Sequence, residues 1–339
     1  MKNIELITKT KDLGIELLRF LLCLWIVVYH CTNIKKEHLK FFGRLFHVPT
    51  FFLISFYFYY PIFSKRKISK IISRFIRLFI PYIIWPIIIL ILNNILVKTV
   101  SFGQPGIQRI LTFEDFFIQI LVGNSFHRIF WFQFNLIAFS LFYTIVAFIT
   151  KKYLLEILSL FGVISLYLNL SEINYKYFLF TKFGYSVGTL MELMPLTIIG
   201  CIYSSYNMIN KIKLLNIYFR IILFIFIYFL FKYDICIRII GFRYPEVILN
   251  SIASTILFFS FSSLNLNIFI IDKVVISITE YTGGIYYIHL MIRDYFQKYI
   301  SFFSNRTYFS SFMIYFICFI FCFFGNILFK KNKLKYLFI

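Results

Sequence analysis

Residues Leu13–Cys31 read LGIELLRFLLCLWIVVYHC. At about 1.5 Å per residue a helix of that length crosses the roughly 30 Å hydrocarbon core of a bilayer. It is almost wholly apolar, yet it carries Glu16, Arg19, Cys23 and His30. The rest of the 339-residue chain is of the same kind: 60% of it is hydrophobic, 22% aromatic and only 14% charged, far from the roughly one-quarter charged residues of soluble domains. The composition therefore excludes most soluble enzymes and leaves an all-α polytopic membrane protein.

Reading outward from this segment, apolar runs long enough to span fall near 13–31, 45–63, 78–97, 130–149, 153–170, 185–206, 214–231, 247–261, 276–292 and 309–329. These ten spans form a single membrane-embedded domain over 1–339. Phe113–Val122 is apolar but short and begins with Glu114-Asp115, so it is expected to lie along the interface. The first run follows Lys2, Lys9 and Lys11 as a signal peptide would. It contains Arg19, lacks a small-residue cleavage pattern and leads into further spans, so it is kept as the first helix.

The formal charge of +21, from 35 Lys+Arg against 14 Asp+Glu, would point to nucleic acid in a soluble chain. Here the basic residues sort by side. With the N-terminus inside, 18 of the 35 fall on the inner side, at nearly twice the density of the other. The loop with Lys65, Arg66, Lys67, Lys70, Arg74 and Arg77 weighs most. Both termini are therefore placed in the cytoplasm, and nucleic acid is removed as a partner. The six cysteines show no CxxC spacing and mostly sit in apolar runs, as small buried hydrophobes do. No histidines stand at metal-ligand spacing, and no metal is expected.

Charged groups inside spans cost a few kcal/mol unless they meet a partner or a wet cavity. Arg220, near the inner end of its span, is expected to snorkel to the interface. Helix one differs, because Glu16, Arg19, Cys23 and His30 fall on one stripe. Glu16 and Arg19, three apart, suit an ion pair. His30 lies about 16 Å further along the axis than Arg19. A neutral imidazole there suits a general base; an interfacial histidine ending a span is the alternative. Arg74 and Arg77, at i and i+3 on an inner helix end, can hold a phosphate between forked donors or serve only as anchors. His38 is read as solvated, while His47, His127 and His289 lie at span edges.

Five segments in this order resemble the acyltransferase family 3 membrane proteins. They are Glu16-Leu17-Leu18-Arg19 with the run to His30, Val48-Pro49-Thr50-Phe51-Phe52-Leu53-Ile54-Ser55, Arg74-x-x-Arg77 before Leu78–Tyr82, Trp131-Phe132-Gln133, and Gly284-Ile285-Tyr286-Tyr287-Ile288-His289. Ser55 is followed by Phe56 where the family typically has glycine. The resemblance implies a transferase that moves an acyl group, usually acetyl, from acetyl-CoA to a hydroxyl of a cell-surface glycan in the cytoplasmic membrane. It implies His30 as the essential histidine, Glu16 and Arg19 as the acidic-x-x-Arg element, and Arg74 and Arg77 as the pair associated with the donor. Acyl-CoA is then a substrate on the cytoplasmic side, no bound cofactor is expected, and homo-oligomerisation is left open.

In a direct-transfer scheme His30 deprotonates the sugar hydroxyl, which attacks the thioester, while Arg19 or a backbone donor stabilises the oxyanion. A covalent intermediate on Cys23 is the less favoured route, since buried thiols are usually inert. The competing reading is a transporter or flippase of a lipid-linked glycan, which would use the basic stripe without needing an imidazole at one position. A polymerase or glycosyltransferase would carry acidic clusters in a large outer loop, and 98–129 holds only Glu114 and Asp115 as acids.

Overall fold

A computed structural model describes residues 12–32, 47–96, 112–122, 130–170, 175–212, 218–222, 225, 245–262, 264, 269–304 and 307–339. Among these residues the protein is helical, with no strand. The main helices are α1 (Leu13–Cys31), α2 (His47–Phe63), α3 (Ile68–Leu96), α4 (Phe113–Val122), α5 (Phe130–Thr150), α6 (Leu154–Leu170), α7 (Tyr175–Ser205), α8 (Pro245–Phe261), α9 (Phe269–Thr279), α10 (Thr282–Tyr299) and α11 (Tyr308–Leu328). Among the described residues four stretches are long and apolar enough to cross a membrane: Leu13–Cys31, Ile68–Leu92, Phe130–Thr150 and Tyr308–Leu328. Shorter apolar stretches lie in α2, α6, α7 and α8.

The termini are set by local chemistry. Asp12 caps α1 by accepting the Ile15 N–H at 3.1 Å, and Glu16 adds a carboxylate to the positive end of the same first turn. Thr307 caps α11 in the same way, through the Ser310 N–H at 3.1 Å. Between α2 and α3, Lys67 N–H returns to the Ile62 carbonyl and Arg66 N–H to Phe63, a Schellman closure with Arg66 at a φ of 49°. The Arg66 guanidinium donates to the Ala147 carbonyl at 2.8 Å, which ties this strained turn to α5.

Three buried clusters hold the bundle. One joins α1, α3, α10, α11 and the C-terminal turn; a second joins α2, α5, α6 and α7; a third joins α1, α2 and α8. The opposite faces remain apolar and exposed, as with Ile87, Ile91 and Ile95 on α3 and Phe309, Phe312, Phe316 and Phe324 on α11. Large apolar side chains turned outward on long helices are what a lipid-facing surface requires. Small residues let backbones close up: a Cβ on Gly200 would sit 2.4 Å from the Leu53 carbonyl oxygen, so α2 and α7 touch there. Polar side chains inside the bundle pair across helices, Tyr59 with Thr144 at 2.7 Å and Asn135 with Thr189 at 2.7 Å.

Several expected boundaries shift. The third helix starts at Ile68 rather than near 78, so Arg74 and Arg77 lie well inside it. The apolar run at 276–292 is not one helix. It breaks at Glu280-Tyr281, where an exposed acid precedes Thr282 and two helix-weakening glycines, Gly283 and Gly284. Phe113–Val122 forms a helix with the expected bounds, closed by a reciprocal Thr112–Asp115 cap at 2.9 and 3.2 Å. Arg220 does not snorkel: it is buried and donates to the Ser262 carbonyl at the end of α8. Most of the expected span at 214–231, together with His38 and His127, lies outside the described residues.

Candidate functional site

The polar stripe of α1 faces α10. Arg19 Nη1 contacts both Glu16 carboxylate oxygens, at 3.0 and 3.2 Å, so the expected pair forms. The Glu16 side chain is 8% exposed and that of Arg19 32%, which leaves the guanidinium reachable while its partner is enclosed. Arg19 Nη2 donates to Thr282 Oγ1 at 3.3 Å, and Cys23 Sγ lies 3.6 Å from the Thr282 carbonyl. Thr282 thus engages two members of the stripe from the first turn of α10. The thiol of Cys23 is buried and donates to a carbonyl, so it stays a thiol.

Two turns further along α10, His289 comes beside His30. The ring centroids are 5.4 Å apart and the planes tilted by 36°. His289 is fully buried, and its Nδ1 is 2.7 Å from the Tyr286 carbonyl oxygen. A carbonyl only accepts, so Nδ1 carries the proton and Nε2 presents a lone pair. The His30 ring touches Tyr29 edge-on, at 5.3 Å, and forms no hydrogen bond to a described residue. Its backbone is fixed: Arg293 Nη1 donates to the His30 carbonyl at 2.9 Å, while Arg293 Nε pairs with Asp294 at 2.7 Å.

The arginine pair of α3 divides. Arg74 turns inward, with Nη2 on Ser55 Oγ at 2.8 Å, Nε on Ser140 Oγ at 3.1 Å and its guanidinium 4.1 Å from the Tyr59 ring centroid. Arg77 is exposed and has no side-chain hydrogen bond among the described residues. The two do not form a shared fork; Arg74 is committed to protein partners and Arg77 is available.

The five sequence segments converge. The first meets the fifth through His30–His289, with Arg19 on Thr282 two residues before the fifth begins, and the second meets the third through Ser55–Arg74. Gln133 Nε2 donates to the Leu78 carbonyl at 2.9 Å, which joins the fourth segment to the third beside Pro81. Phe132 packs against Phe52 at 5.0 Å and Tyr286 at 5.1 Å. A family model described as an acyltransferase domain matches residues 12–331, nearly the whole chain and all five segments.

This chain belongs to acyltransferase family 3. Searches of curated proteins and of solved structures give no match. The acyltransferase is a multi-pass membrane protein, and its family sets the reaction class as acyl transfer.

Within this acyltransferase the structure commits Arg19 to Glu16 and Thr282. Arg19 lies about 16 Å down the axis from His30, and both its terminal nitrogens are engaged. Thr282 and Arg293 went unnoticed in the sequence. The hydroxyl just before Gly283-Gly284, and a basic residue one turn after His289, were the available signals.

Proposed function

We propose that this acyltransferase moves an acyl group, acetyl in the simplest case, from acyl-CoA to a hydroxyl of a surface polysaccharide or its lipid-linked precursor in the cytoplasmic membrane. The observation that carries this reading is the His30 imidazole, held by its backbone on Arg293 and without a side-chain hydrogen bond to a described residue, on the helix that also carries the Glu16–Arg19 pair. A ring with an uncommitted nitrogen inside a bundle suits proton transfer.

The step is a direct displacement. His30 takes the proton of the acceptor hydroxyl as its oxygen bonds to the thioester carbonyl carbon. The C–S bond breaks, and the CoA thiolate leaves with the proton returned by His30. Arg77, exposed on α3 a few turns in from the turn that carries Lys65 and Lys67, fits the donor's phosphates as a point of attachment. Arg19, one-third exposed and facing α10, lies on the same stripe of α1 as His30. Glu16 orients Arg19, and Arg74 braces α2, α3 and α5. An acyl-enzyme on Cys23 is not needed.

The test compares surface polysaccharide from cells with and without the protein by NMR, before and after mild alkaline treatment. Alkali-labile O-acyl signals should appear only when the protein is present. An unchanged O-acyl content, with altered export of the polymer, would favour a transporter or flippase instead.

A further inference from the structure

We infer that His289 is a positioning residue for His30: its bare Nε2 accepts a hydrogen bond from the second ring nitrogen of His30 when that ring takes up the hydroxyl proton. This rests on His30 being the base. The carrying observation is an orphan. His289 is fully buried, Nδ1–H is spent on the Tyr286 carbonyl at 2.7 Å, and Nε2 has no hydrogen-bond partner among the described residues. An unmatched buried acceptor is costly, so it persists where a donor arrives in the working cycle.

The neighbouring ring supplies that donor. Two imidazoles joined by an N–H···N bond have centroids roughly 5 Å apart, and those of His30 and His289 are 5.4 Å apart with no bond between them. A small rotation closes the gap. Neutral His30 has one N–H; protonated His30 has two donors, so one can meet His289 while the other faces the reacting oxygen. The surroundings fix both rings for this. Arg293 holds the His30 carbonyl, and the Tyr286 ring lies 5.9 Å from that of His289. Arg293 is itself paired with Asp294, which moderates its positive charge beside a base that becomes cationic. His289 thus does for His30 what a carboxylate does for the imidazole of a hydrolase triad, with a lone pair in place of a charge.

Two substitutions separate this from a packing role. In His289→Asn the side-chain amide can still donate to the Tyr286 carbonyl but nothing replaces Nε2. In His289→Gln an amide oxygen reaches the Nε2 position, and the Nδ1 contact is lost. With purified protein in liposomes, acyl-CoA as donor and rates normalised to folded, acyl-CoA-binding protein, His289→Asn should lower kcat by roughly 10–100-fold with KM for acyl-CoA unchanged. His289→Gln should retain a rate within about fivefold of wild type. Rates for Asn equal to or above those for Gln overturn the inference. His30→Ala, measured alongside, tests the underlying reading: activity in that variant removes His30 as base, whereas an inactive His30→Ala with equal Asn and Gln rates removes only the coupling. Should neither variant fold, nitrogen NMR of histidine-labelled wild type decides. The Nδ1–H tautomer of His289 sustains the inference and an Nε2–H tautomer overturns it.

Discussion

Arg74 on α3 donates to the Ser55 hydroxyl on α2 across 2.8 Å, and the same guanidinium reaches Ser140 on α5 at 3.1 Å. One cation therefore ties three helices together inside the bundle, stacked on Tyr59. Its neighbour Arg77, one turn on, does none of this. The sequence presents them as a matched pair; the structure gives them different work.

Arg74→Gln should therefore act on stability, at a cost of about 1.5–3 kcal/mol for charge-assisted bonds lost within the bundle. Arg77→Gln should leave stability unchanged and weaken acyl-CoA binding several-fold by removing one exposed phosphate contact. Thermal unfolding in detergent and acyl-CoA titration on both variants check the division. Equal losses of affinity with unchanged melting would restore a shared donor fork.

Thr282 is predicted to matter through Arg19. Thr282→Val keeps the shape of the side chain and deletes the oxygen that Arg19 Nη2 uses at 3.3 Å. Freed on one side, Arg19 loses orientation, and acyl transfer should fall by roughly tenfold with expression unchanged. Glu16→Gln should be more damaging to folding, by about 1–3 kcal/mol, because it leaves a partly enclosed guanidinium without its counter-charge. Activity and melting temperature of the two variants should move in that contrasting way.

The close approach of α2 and α7 gives a packing prediction. A methyl added at Gly200 would lie 2.4 Å from the Leu53 carbonyl oxygen, a backbone atom that cannot rotate away. Gly200→Ala should cost about 1–3 kcal/mol. Gly162→Ala, whose Cβ would meet only the end of the Ile198 side chain at 3.0 Å, should cost less. Melting temperatures of the two variants in the same detergent measure the difference.

Much of this was legible in the residues. Apolar run length gave the helical membrane class, and helical spacing gave the Glu16–Arg19 pair. What sequence could not supply was partner identity across helices. Thr282, Ser140 and Arg293 find their roles only because α10 and α5 are brought beside α1 and α3, and nothing in local spacing encodes that approach. The break at Glu280-Tyr281 was hidden by the apolar residues on both sides of it, since hydropathy does not register a turn. His289 stood at a span edge in the sequence; its buried place beside His30 comes from the packing of α1 against α10.

The central claim is that His30 is the general base of acyl transfer. Its most direct measurement follows a labelled acyl group from acyl-CoA onto the glycan acceptor, with wild type and His30→Ala in matched liposomes. The account predicts a loss of at least about 100-fold in the variant, with insertion and acyl-CoA affinity unchanged. Transfer by inserted His30→Ala at the wild-type rate would contradict it.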